Sequence, residues 1–169
     1  MNSAALLVDS FGRIREVVHE AVEGLTDEDL AARVTPDANS VAWLVWHLTR
    51  IQDDHLADAF DTEQLWISDG WAARFALPFP ERATGYGQTS AQVGKVRAPG
   101  DLLLGYHDAV HARTLTLVGT VTNADLDRVV DTRWDPPVTL GVRLVSVIAD
   151  DLQHAGQAAY ARGLLKAKT

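Results

Sequence analysis

A chain of 169 residues with 47% hydrophobic content has enough apolar material to bury a real core, so residues 1–169 are expected to form one domain and not a disordered chain. Its formal net charge of −8, with 15 basic residues scattered and not blocked, would repel a phosphate backbone and argues against nucleic-acid binding. The absence of cysteine excludes a disulfide framework, a zinc–thiolate site and a cysteine nucleophile, and no apolar run reaches the roughly 18 residues of a membrane span.

The opening MNSAALLVDSFGRIREVV lacks the basic start of a secretory leader, so a cytoplasmic location is expected. Within residues 3–24, Leu7, Phe11, Ile14, Val18 and Val22 recur at steps of three and four, the stripe of an amphipathic helix. LTDEDL then predicts a short helical turn, with Thr26 as its cap and Asp29 near its third position. PDANS is turn chemistry, and Asn39 or Ser40 caps a second long helix, VAWLVWHLTRIQDDHLADAF. Its first six residues are all apolar. Trp43 and Trp46 together imply burial on two sides, and a subunit interface could supply the second.

TEQLWISDGWAARF reads as another short helix. Residues 76–100 hold three prolines and four glycines and read as a long irregular crossover, either a mobile lid or a plain connection. DLLLGYHDAVHARTLTLVGTV is the third long helix. NADLDRVVDTRWDPP is a connection with an extended piece at 129–132. VTLGVRLVSVIADDLQHAGQAAYARGLLKAK is the fourth long helix, with Pro137 suited to its first turn. Four long helices, one long crossover and short extra helices predict an all-α four-helix bundle.

Asp150 and His154 lie four residues apart, one turn along one face of the fourth helix, and could close on a single ion. Neutral imidazole and carboxylate are good ligands for zinc and similar divalent metals. On the helical wheel Asp150 falls beside the apolar stripe of Leu144, Val147, Ala158 and Ala161, where a carboxylate is costly unless paired. The competing reading is a solvated Asp–His hydrogen bond. His47, among Leu44, Leu48 and Ile51, is either a hydrogen-bonded core histidine or a third ligand from a facing helix. By spacing alone His107 and His111 are the stronger metal pair, yet Asp108, Arg113 and Thr114 around them point to an exposed face. His55 could join either set, and His19 reads as surface. The adjacent carboxylates Asp53 and Asp54 read as solvent residues, and GYGQ at 85–88 is a turn signal.

NSVAWLVWHLTRIQDDHLAD and VSVIADDLQHAGQAAYARGLL resemble the two signature segments of the DinB-like superfamily, and more closely its actinobacterial branch that includes mycothiol-dependent enzymes. The order and spacing of elements agree through nearly the whole chain. The resemblance implies a four-helix bundle holding zinc or nickel on three side chains. The histidine of the WH(L/I) segment corresponds to His47, and the histidine before xGQ to His154. The third ligand lies four residues earlier. It is histidine in many members and an acid, usually glutamate, in the mycothiol-dependent type. Here it is Asp150, shorter than glutamate by one methylene. The resemblance gives His107 and His111 no metal role.

The resemblance thus implies a metal-dependent enzyme, a mycothiol S-transferase or isomerase acting through a metal-activated thiolate, whose partners are a small thiol and an electrophile. Two alternatives stand beside it. One is a hydrolase using the same metal. The other is a non-enzymatic, structural or regulatory homodimer whose interface is the Trp43/Trp46 face. Asp150 is the expected ligand, with Asp151 either in the apolar-facing wedge or an acceptor that orients His154.

Overall fold

A computed structural model describes residues 1–167. Helix α1 (Ser3–Val22) starts at Asn2, whose side chain accepts from the Ala5 N–H, and buries its stripe of Leu7, Phe11, Ile14, Val18 and Val22. Helix α2 (Asp27–Ala31) opens with a Thr26/Asp29 capping box, as its sequence indicates. Ser40 caps α3 (Val41–Ala59) through the Trp43 N–H. The single short helix expected at 62–75 is two, α4 (Leu65–Ser68) and α5 (Trp71–Phe75), because Gly70 takes a left-handed φ of 71° between them. The crossover carries one helical turn, α6 (Ser90–Val93), and leads into α7 (Gly100–Val118).

The fourth long helix, α8, spans Leu140–Lys166, and its cap is Thr139. Pro137 is therefore not in its first turn. Val138–Thr139 form a short strand β2 paired antiparallel with β1 (Val129–Asp131), and the Thr139 hydroxyl takes over the capping. No helix of the described residues is long and apolar enough to cross a membrane.

Side-chain pairs fix the helix directions. Thr49 meets His107 and Gln52 meets Thr114, so α3 and α7 run parallel. His55 meets Arg143 and His47 meets His154, so α3 and α8 run antiparallel. Two parallel helices consecutive in the bundle require a crossover as long as the bundle itself, which is what residues 60–99 supply.

That crossover covers the second side of α3. Trp43 is buried, stacks on His47 and donates its indole N–H to Gln88 Oε1 at 2.8 Å. Trp46 packs on Trp66 and Phe79. The two-sided burial expected for these indoles is met within the chain, and no second subunit is needed to explain it.

Two polar expectations are overturned. Asp53 is not a solvent residue. It accepts from the Leu65 and Trp66 N–H groups at 2.9 and 2.8 Å and from the Tyr106 hydroxyl at 2.8 Å. It also pairs with Arg50, whose side chain is 0% exposed. Arg50 in turn donates to Ala83 O, Tyr106 Oη and Gln64 Oε1. A buried ion pair survives only when its remaining hydrogen-bonding capacity is filled, and here the start of α4 and the crossover fill it. Asp54, by contrast, stays half-buried and accepts from Gln64. Nor do His107 and His111 share an exposed face. His107 is buried against Thr49, and burial pushes its imidazole down to about 3, so it is neutral in the fold.

Replacing Asp53 by alanine strands the Arg50 charge and two helix N–H groups, and should cost about 3–5 kcal/mol of stability in urea unfolding. His107 gives a pH signature. Unfolded, its imidazole takes a proton below its ordinary 6.5, whereas folded it resists down to about 3. Its contribution to stability is thus complete above pH 6.5 and declines as the pH falls toward 3, by up to about 1.4 kcal/mol per pH unit. His107→Gln should remove that part of the acid slope when the two proteins are unfolded side by side.

Candidate metal centre

The antiparallel register of α3 and α8 brings His47 opposite Asp150 and His154. One ligand atom from each of the three lies within 4.8 Å of the others. This is the one such group of three among the described residues. The His47 and His154 rings meet edge to face with centroids 4.8 Å apart. His154 Nε2 lies 3.6 Å from Asp150 Oδ1.

Each imidazole is oriented from behind. His47 Nδ1 sits 2.6 Å from Thr84 O, and His154 Nδ1 sits 3.0 Å from Gln157 Oε1. A carbonyl oxygen only accepts, so both Nδ1 atoms carry the hydrogen and both Nε2 atoms keep a lone pair for the space they share. Trp43 stacks on His47 at 4.5 Å and fixes the plane of that ring. Burial, and secondarily the neighbouring His154, holds His47 below its ordinary pKa, against opposing contributions from Thr84 O and the Asp150 charge. It is therefore neutral and able to ligate at pH 7.

Asp150 keeps the place beside the stripe that the wheel gives it, and of the two roles open to Asp151 the apolar-facing wedge is the one found. Asp150 sits on the shoulder of α8 with its side chain 36% exposed, and its Oδ2 is buried without a partner among the described residues. Asp151 occupies the centre of the stripe formed by Leu144, Val147, Ala155 and Ala158, and is 0% exposed. Burial, reinforced by the adjacent Asp150 charge, drives its carboxyl well above the usual range. Neither of its oxygens meets a partner among the described residues, so it does not orient His154. Gln157 does that.

The donor set suits a divalent cation. Two neutral imidazoles and one carboxylate are ligand chemistry for zinc or nickel, and three protein donors leave coordination positions open. A cation there would also satisfy the orphaned oxygen of Asp150. The other histidines lie elsewhere. His55 takes a hydrogen bond from Arg143, His107 and His111 lie on α7 with rings 6.4 Å apart, and half-buried His19 bonds Asp108 at 2.8 Å.

Several residues that build the centre carry weak sequence signals. Gln157 stands three residues after His154, within reach along the helix, and Thr84 contributes only backbone. Gly85 is the informative one. Its φ is 97°, and a Cβ there would lie 2.7 Å from His47 Nδ1 and 3.1 Å from Trp46. The GYGQ turn is thus a close approach of backbone to ligand, necessary for Thr84 O to reach the imidazole.

A family model described as mycothiol S-transferase matches residues 6–167. The chain is also similar to the crystal structure of a conserved protein of locus from Enterococcus faecalis, at 33% identity and a TM-score of 0.91, with 99% of each chain covered. No curated protein matches significantly.

Gly85→Ala should displace His47 from Thr84 and lower affinity for added zinc about 10–100-fold, as loss of an orienting partner does elsewhere. Competition against a chromophoric chelator measures this, and unchanged affinity would mean the Thr84 contact is dispensable.

Proposed function

We propose that this chain, which belongs to the mycothiol S-transferase family, is a metal-dependent enzyme that joins the sulfur of a small thiol, mycothiol, to an electrophile. The observation that carries the reading is the convergence of His47, Asp150 and His154, with both imidazoles held Nδ1-backward so that their free nitrogens converge. A divalent metal, zinc or nickel, held by these residues would stabilise the thiolate over the thiol and keep the sulfur nucleophilic at neutral pH.

The residues themselves supply placement. His47 and His154 present neutral donors, and Asp150 adds one negative charge that offsets part of the cation's charge. Trp43 and the 84–88 turn close one flank against water. The chain has no cysteine, so the reacting sulfur comes from the cosubstrate. In S-transfer the thiol proton leaves to solvent, a C–S bond forms at the electrophile, and the leaving group departs with its electron pair. His47 and His154 are ligands in this scheme, not proton carriers. The site's donors equally suit water as nucleophile, and the thiol requirement separates the two chemistries.

Metal analysis of untagged protein tests the ligands. His47→Ala and His154→Ala should each abolish stoichiometric metal, Asp150→Asn should weaken it, and Asp151→Asn should weaken it less. Mycothiol should shift the spectrum of cobalt-substituted protein and be required for consumption of a bromobimane electrophile. Metal retained in both histidine variants would sink the triad, and turnover without thiol would make the enzyme a hydrolase.

A further inference from the structure

The groove between α3 and α8 does not end at the three ligands. Asp54 is seven residues after His47 and Asp58 eleven, so both continue the His47 face of α3. Arg143 is seven residues before Asp150 and continues that face of α8. Between them opens a cleft of about 530 Å³, lined by Asp54, His55, Asp58, Glu63, Arg82 and Arg143 among others. The seven-residue steps from His47 to Asp54 and from Asp150 to Arg143 are each about 10 Å of helix, so the cleft lies about two turns along the groove from the triad.

The charges of this cleft are unequally available. Arg143 is held by Asp131 at 2.9 Å and bonds His55, and Arg133 is held by the same carboxylate at 2.8 Å. Asp58 has only a 3.9 Å pairing with the exposed Arg133, and Asp54 keeps an oxygen beyond its bond from Gln64. The rim therefore offers acceptors in excess: its lining holds the four carboxylates Asp54, Asp58, Asp61 and Glu63 against three guanidiniums, two of which share the single charge of Asp131. The hollow on the other side of the triad, lined by Val34, Leu44, Tyr160 and Leu164, presents mainly apolar surface. A ligand that donates many hydrogen bonds and carries no negative charge fits the first and not the second. Mycothiol is such a molecule outside its sulfur. Its cysteine is acetylated at nitrogen and amidated at the carboxyl, and the remainder is glucosamine linked to inositol.

Resting on the reading that a small thiol reacts at the triad, we propose that this cleft holds the uncharged polyol of the thiol. Asp54 and Asp58 accept from sugar hydroxyls, so the cleft selects a neutral polyhydroxylated thiol over a carboxylate-bearing one such as glutathione.

The test is calorimetric titration of metal-loaded protein with mycothiol, with glutathione, and with thiol-free glucosaminyl-inositol, its amine acetylated so that it carries no charge. Wild type should bind mycothiol in clear preference to glutathione, and should bind glucosaminyl-inositol as well in His47→Ala as in the unaltered protein. Asp54→Asn/Asp58→Asn, which keeps size and the Gln64 acceptor, should weaken mycothiol and glucosaminyl-inositol about tenfold by loss of charge-assisted bonds, and narrow the preference against glutathione. Metal content and circular dichroism should not change. Glutathione binding wild type as tightly as mycothiol, no binding of glucosaminyl-inositol, or an unaltered double variant overturns the proposal. Sugar binding that persists while mycothiol ignores the metal would instead overturn the triad reading and leave the cleft assignment standing.

Discussion

The guanidinium of Arg50, sealed from solvent in the middle of α3, is the constraint around which the rest is arranged. An unpaired charge at that depth costs several kcal/mol, so its five N–H groups dictate what must pack there. Asp53 balances the charge, Tyr106 ties α7 to α3, Gln64 brings in the segment before α4, and Ala83 O fixes the middle of the crossover. The residue after Ala83 is Thr84, whose carbonyl orients His47. A core ion pair thus sets, one peptide further along, the direction of a candidate ligand.

The candidate centre follows the same logic of polar groups fixed by backbone. His47 and His154 come from helices whose pairing is mainly apolar, and neither would hold a tautomer without its carbonyl partner. Placing Asp151 in the α8 stripe weakens that stripe. Its carboxyl, driven well above the usual range by burial, takes the place of an apolar side chain and meets no partner among the described residues, while the half-exposed Asp150 beside it brings Oδ1 to 3.6 Å from His154 Nε2 and leaves Oδ2 buried and unpartnered. Acidic residues at adjacent positions on α8 therefore lie in opposite environments, one dry in the core, the other at the edge of a polar groove.

The bundle was legible because three-and-four periodicity in α1, α3 and α8 reports burial directly. The His47, Asp150 and His154 grouping was legible because i, i+4 spacing and the WH and HAGQ segments survive in one dimension. What escaped depends on neighbours distant in sequence. Asp53 looks like its twin Asp54 until α4 presents two N–H groups to it. His107 looks solvated beside Asp108 until Thr49 and the core enclose it. A wheel drawn for α8 alone sets Asp151 toward the apolar stripe and Asp150 at its edge, but cannot say which shoulder faces α3. Trp43 and Trp46 signal a second covering layer but not its source, because the crossover has no periodicity to mark the face it lies on.

The distance in sequence between His47 and His154, more than a hundred residues, orders events in time. At ribosomal speeds of about 5–20 residues per second, His47 emerges several seconds before α8 exists to meet it. Until α8 docks, the donors cannot converge, because α3 carries one of the three and the crossover can orient only that one. Any ion bound by this centre is acquired by a finished bundle through the half-exposed Asp150 side, so occupancy reports the metal supply of the compartment in which the folded protein resides, not the conditions of its birth.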